Sequence, residues 1–313
     1  MLPSRVTLVD VGPRDGLQNE KQTVDAAVKI ELVHRLQAAG LREIEVTSFV
    51  SPKWVPQMAD ALDVMAGIAR KPGVRTSVLI PNTKGLDAAL SAPRAEWPDE
   101  IVVFAAATEA FSQKNINCSI AESIERFRPV VDAARKHGIK VRGAISVALG
   151  CPYQGEVSPD EVERVVRLIE EIGVDHCGIA DTIGVGTPRR VQAVLERALR
   201  HYPLAEVSGH FHDTYGQAIG NVYASLEVGV ASFDASVAGL GGCPYAKGAT
   251  GNVATEDVLY LMQGLGIDTG IDLAQVVAAG DFISNAIGRA NVSRAGRALL
   301  AKAQSATDAP SCV

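Results

Sequence analysis

A short β-branched run followed by an amphipathic helical pattern recurs eight times along the chain, and this repeat restricts the fold more than any other feature. The runs span residues 5–11, 43–48, 74–80, 100–106, 140–148 and 174–180, then a seventh from 205 that carries two histidines, and an eighth over 232–237. Helical patterns follow them: one capped by Thr23 and stopped by Gly40, then 58–69, 85–90, 120–137, 158–173, 188–200 and 215–228. Ser158-Pro159-Asp160-Glu161 is the sharpest helix start, with an N-cap hydroxyl, proline in the first turn and Glu161 spaced for a capping box. The strands are nearly continuous in apolar residues, as in a parallel sheet covered by helices. No Gly-X-Gly-X-X-Gly follows the first of them, so a dinucleotide-binding sheet loses its main support. With no break in composition, the pattern predicts an α/β protein, a single (β/α)8 TIM barrel with extra C-terminal helices over residues 1–300, and a flexible tail over 301–313.

Charge and cysteine content narrow the partners. A net charge of −6 without any basic block argues against nucleic acid or an anionic membrane and for a small-molecule role. No apolar run approaches the roughly 18 to 20 residues a membrane span needs, the longest clear one being 101–107. The first strand pattern begins by Arg5, leaving no room for a signal or transit peptide, and the chain ends Ser311-Cys312-Val313 without a peroxisomal tripeptide, so a cytoplasmic protein is expected. Cys118, Cys151, Cys177, Cys243 and Cys312 are odd in number and scattered, without zinc-ribbon spacing, and are expected to be thiols.

In such a barrel, functional groups gather at the C-terminal ends of the strands. His210-Phe211-His212-Asp213 ends strand seven, where side chains two apart leave the same face and both imidazoles point one way. Alone, the pair reads more readily as packed histidines than as ligands. Asp15 lies in the turn Gly12-Pro13-Arg14-Asp15-Gly16-Leu17-Gln18 after strand one, and Asn252 follows strand eight. Strands one, seven and eight are neighbours in a closed barrel, so Asp15, His210, His212 and Asn252 converge by topology. Singly, Asp15 is a plausible turn residue and Asn252 a helix cap. Together they form an oxygen and nitrogen set that suits Mg²⁺ or Mn²⁺, without the thiolates of a structural zinc site.

Arg14 places a permanent cation beside that set, able to stabilise a developing oxyanion. Glu45 stands mid-strand in an apolar segment and needs a partner, with Arg14 the obvious one; a purely structural ion pair is the plain alternative. Two readings stand for Asp181 at the end of strand six: a cap for the following turn, or a general acid or base near the metal. Cys243 sits among Gly239, Gly241, Gly242, Gly248 and Gly251, a loop able to close over the mouth with its thiol, or else a structural turn with an inert cysteine. Cys151 has fewer glycines around it and reads as structural, with Tyr153 nearby as a substrate hydrogen-bond donor.

With these residues, the chain resembles the 3-hydroxy-3-methylglutaryl-CoA lyase family, metal-dependent lyases built on the TIM barrel. The resemblance runs from Val9 to about Arg289. Its motifs are the turn extended to Asn19-Glu20-Lys21, residues 47–58 from Thr47-Ser48-Phe49 to Gln57-Met58, Lys114-Asn115-Ile116-Asn117-Cys118-Ser119, residues 181–188, and the glycine-rich loop around Cys243. It implies that Asp15, His210, His212 and Asn252 hold a divalent cation, Arg14 polarises a thioester carbonyl, Glu45 supports the site, Cys243 acts from the loop and Asp181 lies near the substrate. Arg14, Gln18 and Tyr153 are the expected substrate contacts. One departure is Phe211, where relatives often have cysteine; that side chain faces away from the metal.

The reaction so implied is cleavage of (S)-3-hydroxy-3-methylglutaryl-CoA to acetyl-CoA and acetoacetate, with His210 or Asp181 as base and Cys243 or a water returning the proton. The resemblance also implies an acyl-CoA substrate and a homodimer or higher homo-oligomer. A terminal thiol recurs in some relatives as a redox-sensitive dimer contact; Cys312 is the matching residue, although its flanking tail matches poorly. The rivals are a lyase for a longer 3-substituted glutaryl-CoA or for citramalyl-CoA, a condensing enzyme on the same scaffold, and a non-catalytic barrel that binds metal or acyl-CoA.

Overall fold

The computed structural model describes residues 1–20, 22–242 and 251–308, with side chains as far as residue 305. Its first half runs β1 (Thr7–Asp10), α1 (Ala26–Ala38), β2 (Glu43–Ser48), α2 (Ala61–Gly67), β3 (Arg75–Leu79), α3 (Thr83–Leu90), β4 (Glu100–Ala106), α4 (Glu109–Ile116) and α5 (Ile120–Lys136). The second half runs β5 (Lys140–Ser146), α6 (Pro159–Glu171), β6 (His176–Asp181), α7 (Pro188–Ala198), β7 (Val207–Phe211), α8 (Ala218–Glu227), β8 (Ser232–Ala235), α9 (Thr255–Leu265), α10 (Leu273–Ile287) and α11 (Arg294–Asp308). The eight strands pair in sequence order, all parallel, and β1 closes on β8 through four residue pairs from Thr7↔Ser232 to Asp10↔Ala235. A single closed barrel is therefore formed, as the repeat predicts.

Local chemistry sets the element ends. Ser158 and Glu161 make the expected reciprocal cap of α6, and Ser119 with Glu122 does the same for α5. The first helix begins later than Thr23 suggests: Asp25 is extended and Ala26 opens α1. Likewise α2 begins at Ala61, because Pro56–Met58 form a separate 3-10 turn. Helix α4 was not expected; it is capped by the Thr108 hydroxyl and buries only Phe111 and Ser112, too little to print a helical period on the sequence. At the other end, α11 carries helix through Asp308, past the residue 301 at which a flexible tail was expected, and residues 309–313, Cys312 included, lie outside the described residues.

Apolar side chains from the strands, among them Ile44, Val46, Val103, Ile145 and Ile179, fill the layer between barrel and helices. Helix α10 packs on α1 and α9, closing the outside where the repeat begins and ends. The barrel interior is different in kind. Arg14, Glu45, Arg142 and Asp234 line a cavity of about 840 Å³ inside it, in place of the branched aliphatic layers such barrels normally hold. Charges in that position require partners on other strands.

Candidate metal centre

The turn after β1 is a short π-helical one over Gly12–Gly16, anchored from below by Asp10. Asp10 Oδ1 accepts from Gly12 N at 2.9 Å, and its Oδ2 accepts from Val237 N at 3.1 Å and from the Thr255 hydroxyl at 2.7 Å. That anchor fixes the direction of the next two side chains. Arg14 donates through Nε and Nη2 to the two oxygens of Glu45 at 2.7 and 2.9 Å, a bidentate fork, and through Nη1 to Asp15 Oδ1 at 2.8 Å. Glu45 is thus interior-facing and paired with Arg14, as expected for a carboxylate in mid-strand.

Asp15, His210 and His212 each present a ligand atom, and these atoms lie within 4.8 Å of one another. The imidazole centroids are 5.3 Å apart. Asn252 joins them by backbone pairing with His212 and by donating from Nδ2 to Asp15 Oδ2 at 2.8 Å. Its seat depends on glycine: a Cβ at Gly251, which has φ +90°, would stand 2.6 Å from the Gly241 backbone. The four expected ligands are therefore together, brought from β1, β7 and the segment after β8.

Electrostatics separate their roles. Burial would raise the Asp15 carboxyl, but Arg14 and the two histidines outweigh it and hold it down to about 2. Burial pulls the His212 imidazole down to about 4, with His210 adding to the effect. His210 moves the other way: burial lowers it, yet the hydrogen bond and charge of Asp234 raise it on balance. Among the described residues, the buried Nδ1 of His212 has no hydrogen-bond partner. A buried nitrogen lone pair without a donor, an ionised carboxylate and a second imidazole in one cluster fit a divalent cation.

Other expected residues fall differently. Gln18 lines the cavity with Arg14, Asp15 and the histidines. Asp181 does not: it is fully buried, and its carboxylate accepts from Val185 N at 3.1 Å and Gly186 N at 2.8 Å, with burial pushing it up to about 6 against those bonds. Of its two readings, the turn cap is the one these contacts satisfy. Tyr153 is exposed and outside the cavity wall, its ring 6.1 Å from that of Phe111, which does line the cavity. Cys151 is buried and receives the Thr108 hydroxyl at 3.2 Å. Cys243 lies outside the described residues.

Two residues of the site were missed: Asp234, 3.1 Å from His210 Nδ1 through Oδ2, and Arg142, whose Nη1 is 3.0 Å from Asp234 Oδ1. Both are charges in the middle of otherwise apolar strands, the same signal that exposed Glu45.

Fold and site together define a class: a (β/α)8 barrel with a cluster of carboxylate and imidazole groups able to hold a cation at its C-terminal mouth and an arginine beside it. Family comparison is more specific. The chain belongs to the HMGL-like family, whose model matches residues 5–283. It is 58% identical over 302 residues to a 3-hydroxy-3-isohexenylglutaryl-CoA/hydroxymethylglutaryl-CoA lyase of Pseudomonas aeruginosa, covering 96% of this chain and 99% of the relative. It is 52% identical to a 3-hydroxy-3-methylglutaryl-CoA lyase, cytoplasmic, of Danio rerio, over 95% and 88% of the two chains. A crystal structure of hydroxymethylglutaryl-CoA lyase from Pseudomonas aeruginosa superposes with a TM-score of 0.93 at 58% identity, covering 96% and 99%.

Proposed function

We propose that this chain is a carbon–carbon lyase that cleaves (S)-3-hydroxy-3-methylglutaryl-CoA to acetyl-CoA and acetoacetate with the help of Mg²⁺ or Mn²⁺. The observation that carries this reading is the Arg14 fork, held by Glu45 beside the cluster of Asp15, His210 and His212 in one cavity. Asp15, His210, His212 and Asn252 would hold the cation, which when bound supplies Lewis acidity that lowers the pKa of a substrate hydroxyl.

The remaining steps fall to the chain's own groups. Loss of the C3 hydroxyl proton turns C3–O into a carbonyl while the C2–C3 bond breaks, and its electron pair passes to the thioester enolate. Arg14, already charged and oriented, stabilises the enolate oxygen without reorganising. Addition of a proton at C2, from Cys243 or a water, completes acetyl-CoA. His210 has one nitrogen free, since Nδ1 faces Asp234; Nε2 serves either as ligand or as base, not as both at once. Asp181, with its carboxylate on backbone amides, is the weaker base on geometry. Gln18 lines the same wall and is read as a substrate contact; Tyr153 would need to turn inward to become one.

We further read the protein as a homodimer or higher homo-oligomer in the cytoplasm. Among the described residues no helix is long and apolar enough to cross a membrane, and relatives are named both cytoplasmic and mitochondrial. The deciding experiment measures acetoacetate release by metal-stripped protein with and without Mg²⁺ or Mn²⁺, beside His212→Ala. Activity restored by metal in the wild type and absent from the variant is expected. Folded protein silent under every metal would sink the reading. A parallel arm with a 3-isohexenyl substrate, the longer ester in the Pseudomonas relative's name, tests the sibling specificity.

A further inference from the structure

We propose that Asp234, held in place by Arg142, is the positioning residue that fixes the His210 ring for cation binding. The inference rests on the metal-site reading above and adds to it a carboxylate and a guanidinium drawn from two strands, β8 and β5.

Strand β8 alternates Ser232 and Asp234 on one face with fully buried Phe233 and Ala235 on the other, and Asp234 lines the cavity. In the β7·β8 pairing, His210 stands directly opposite Asp234. Their side chains leave the same side of the sheet, and Asp234 Oδ2 lies 3.1 Å from His210 Nδ1. A carboxylate can only accept, so Nδ1 carries the hydrogen and the Nε2 lone pair is left for the cation. One bond thereby sets both the tautomer and the tilt of the ring.

Asp234 is itself a buried charge that needs support. Arg142 reaches it from β5 across the barrel, with Nη1 3.0 Å from Asp234 Oδ1, while Nη2 donates to the Ser208 hydroxyl at 3.1 Å. The side chains of Arg142 and Asp234 are only 6% and 14% exposed, so neither member of the pair is hydrated enough to stand alone. The arrangement mirrors the other side of the site. There Asp15 is held by Arg14, and Arg14 by Glu45; here His210 is held by Asp234, and Asp234 by Arg142. Each of these two ligands is thus backed by a charged partner, itself backed by a group of opposite charge.

His212 has no equivalent. Its Nδ1, without a hydrogen-bond partner among the described residues, is the nitrogen read above as open to the cation, and its backbone pairs with Asn252. Asp234 therefore orients one ring of the imidazole pair, that of His210.

The test uses full-length, metal-stripped protein and reads Mn²⁺ affinity from the free-ion electron paramagnetic resonance signal, with circular dichroism as the check on folding. Asp234→Asn keeps the shape and one accepting oxygen but removes the charge, and Asp234→Ala removes the contact. Loss of Mn²⁺ affinity by roughly 10- to 100-fold is expected in both, larger in the alanine variant, with turnover recovering partly at high Mn²⁺ and KM for the acyl-CoA near wild type. Arg142→Lys should fall between wild type and Asp234→Asn. Folded variants that bind Mn²⁺ within about twofold of wild type would reduce Asp234 to a structural ion pair and overturn the proposal. Unfolding of the near-isosteric Asp234→Asn would do the same. Wild-type protein that binds no Mn²⁺ would instead remove the metal site, and this inference with it.

Discussion

Arg14 is the residue on which the proposed chemistry turns, because its three donor contacts leave the guanidinium little freedom. Its charge is secure: burial opposes it, but Glu45 and Asp15 more than compensate and raise its pKa further. Lysine at this position would keep the charge and lose the fork, so it could satisfy Glu45 or Asp15 with correct geometry but not both. Arg14→Lys should lower kcat by roughly 10²- to 10³-fold, the scale of losing one preorganised donor, while KM stays close to wild type. Steady-state kinetics at saturating metal check this, and near-normal kcat would remove Arg14 from its role. The pairing with Glu45 was legible because a carboxylate amid Ile44, Val46 and Thr47 has to find a cation. Asp234 and Arg142 carry the same mark in their strands, yet their partners lie on different strands, one of them across the barrel. Sequence shows that such a charge needs a partner; register and barrel closure decide which one it meets.

At the scale of elements, the root of the glycine-rich segment is held by two buried carboxylates that the mechanism does not use. Asp10 takes the Val237 amide, and Glu256, opening α9, takes the next one, Ala238 N, at 3.0 Å from both oxygens. Ala238 needs that support, since its φ of +57° is unusual for a residue with a Cβ. Burial pushes Asp10 up to about 6 and Glu256 up to about 8. A carboxyl raised in the native state favours folding in its neutral form; that contribution is complete below the unfolded value near 4 and is lost as pH rises through the native one. Metal-stripped protein should therefore lose stability between about pH 4 and 8, Asp10 contributing up to about pH 6 and Glu256 alone accounting for on the order of 2 kcal/mol above that. In Glu256→Gln the group stays neutral, so calorimetry should show a flatter fall in Tm across that range; an unchanged slope would mean that Glu256 is ionised throughout. The sequence made the elements themselves legible where signals are local, as at Ser158 and Glu161, which meet within one turn. It hid α4, whose few buried residues leave no period, and it hid the Asp10 and Glu256 clamp, which joins positions far apart in the chain.

Across the whole molecule, the proposed cation ligands sit at the seam where the barrel closes. Asp15 follows β1, while His210, His212 and Asn252 come from β7 and the segment after β8, so the set links the two ends of an eightfold repeat. The repeat itself was readable because strand and helix periods differ and alternate without interruption. From that order followed the adjacency of the first, seventh and eighth strands, and with it the grouping of ligands that no local window contains. A cation bound across this seam contacts groups that come together only in the closed barrel, so it should bind the native state and not the unfolded chain. Mass action then stabilises the fold by about 2.7 kcal/mol at a free cation concentration of 100 times Kd, or roughly 5 °C in Tm for a chain of this size. Diffuse attraction of cations to a protein of net charge −6 would act on variants alike. His212→Ala keeps that charge and loses one ligand, so its Tm should hardly respond to Mn²⁺. An equal rise in wild type and variant would show that the stabilising cations bind elsewhere, and the seam would then be held by its hydrogen bonds alone.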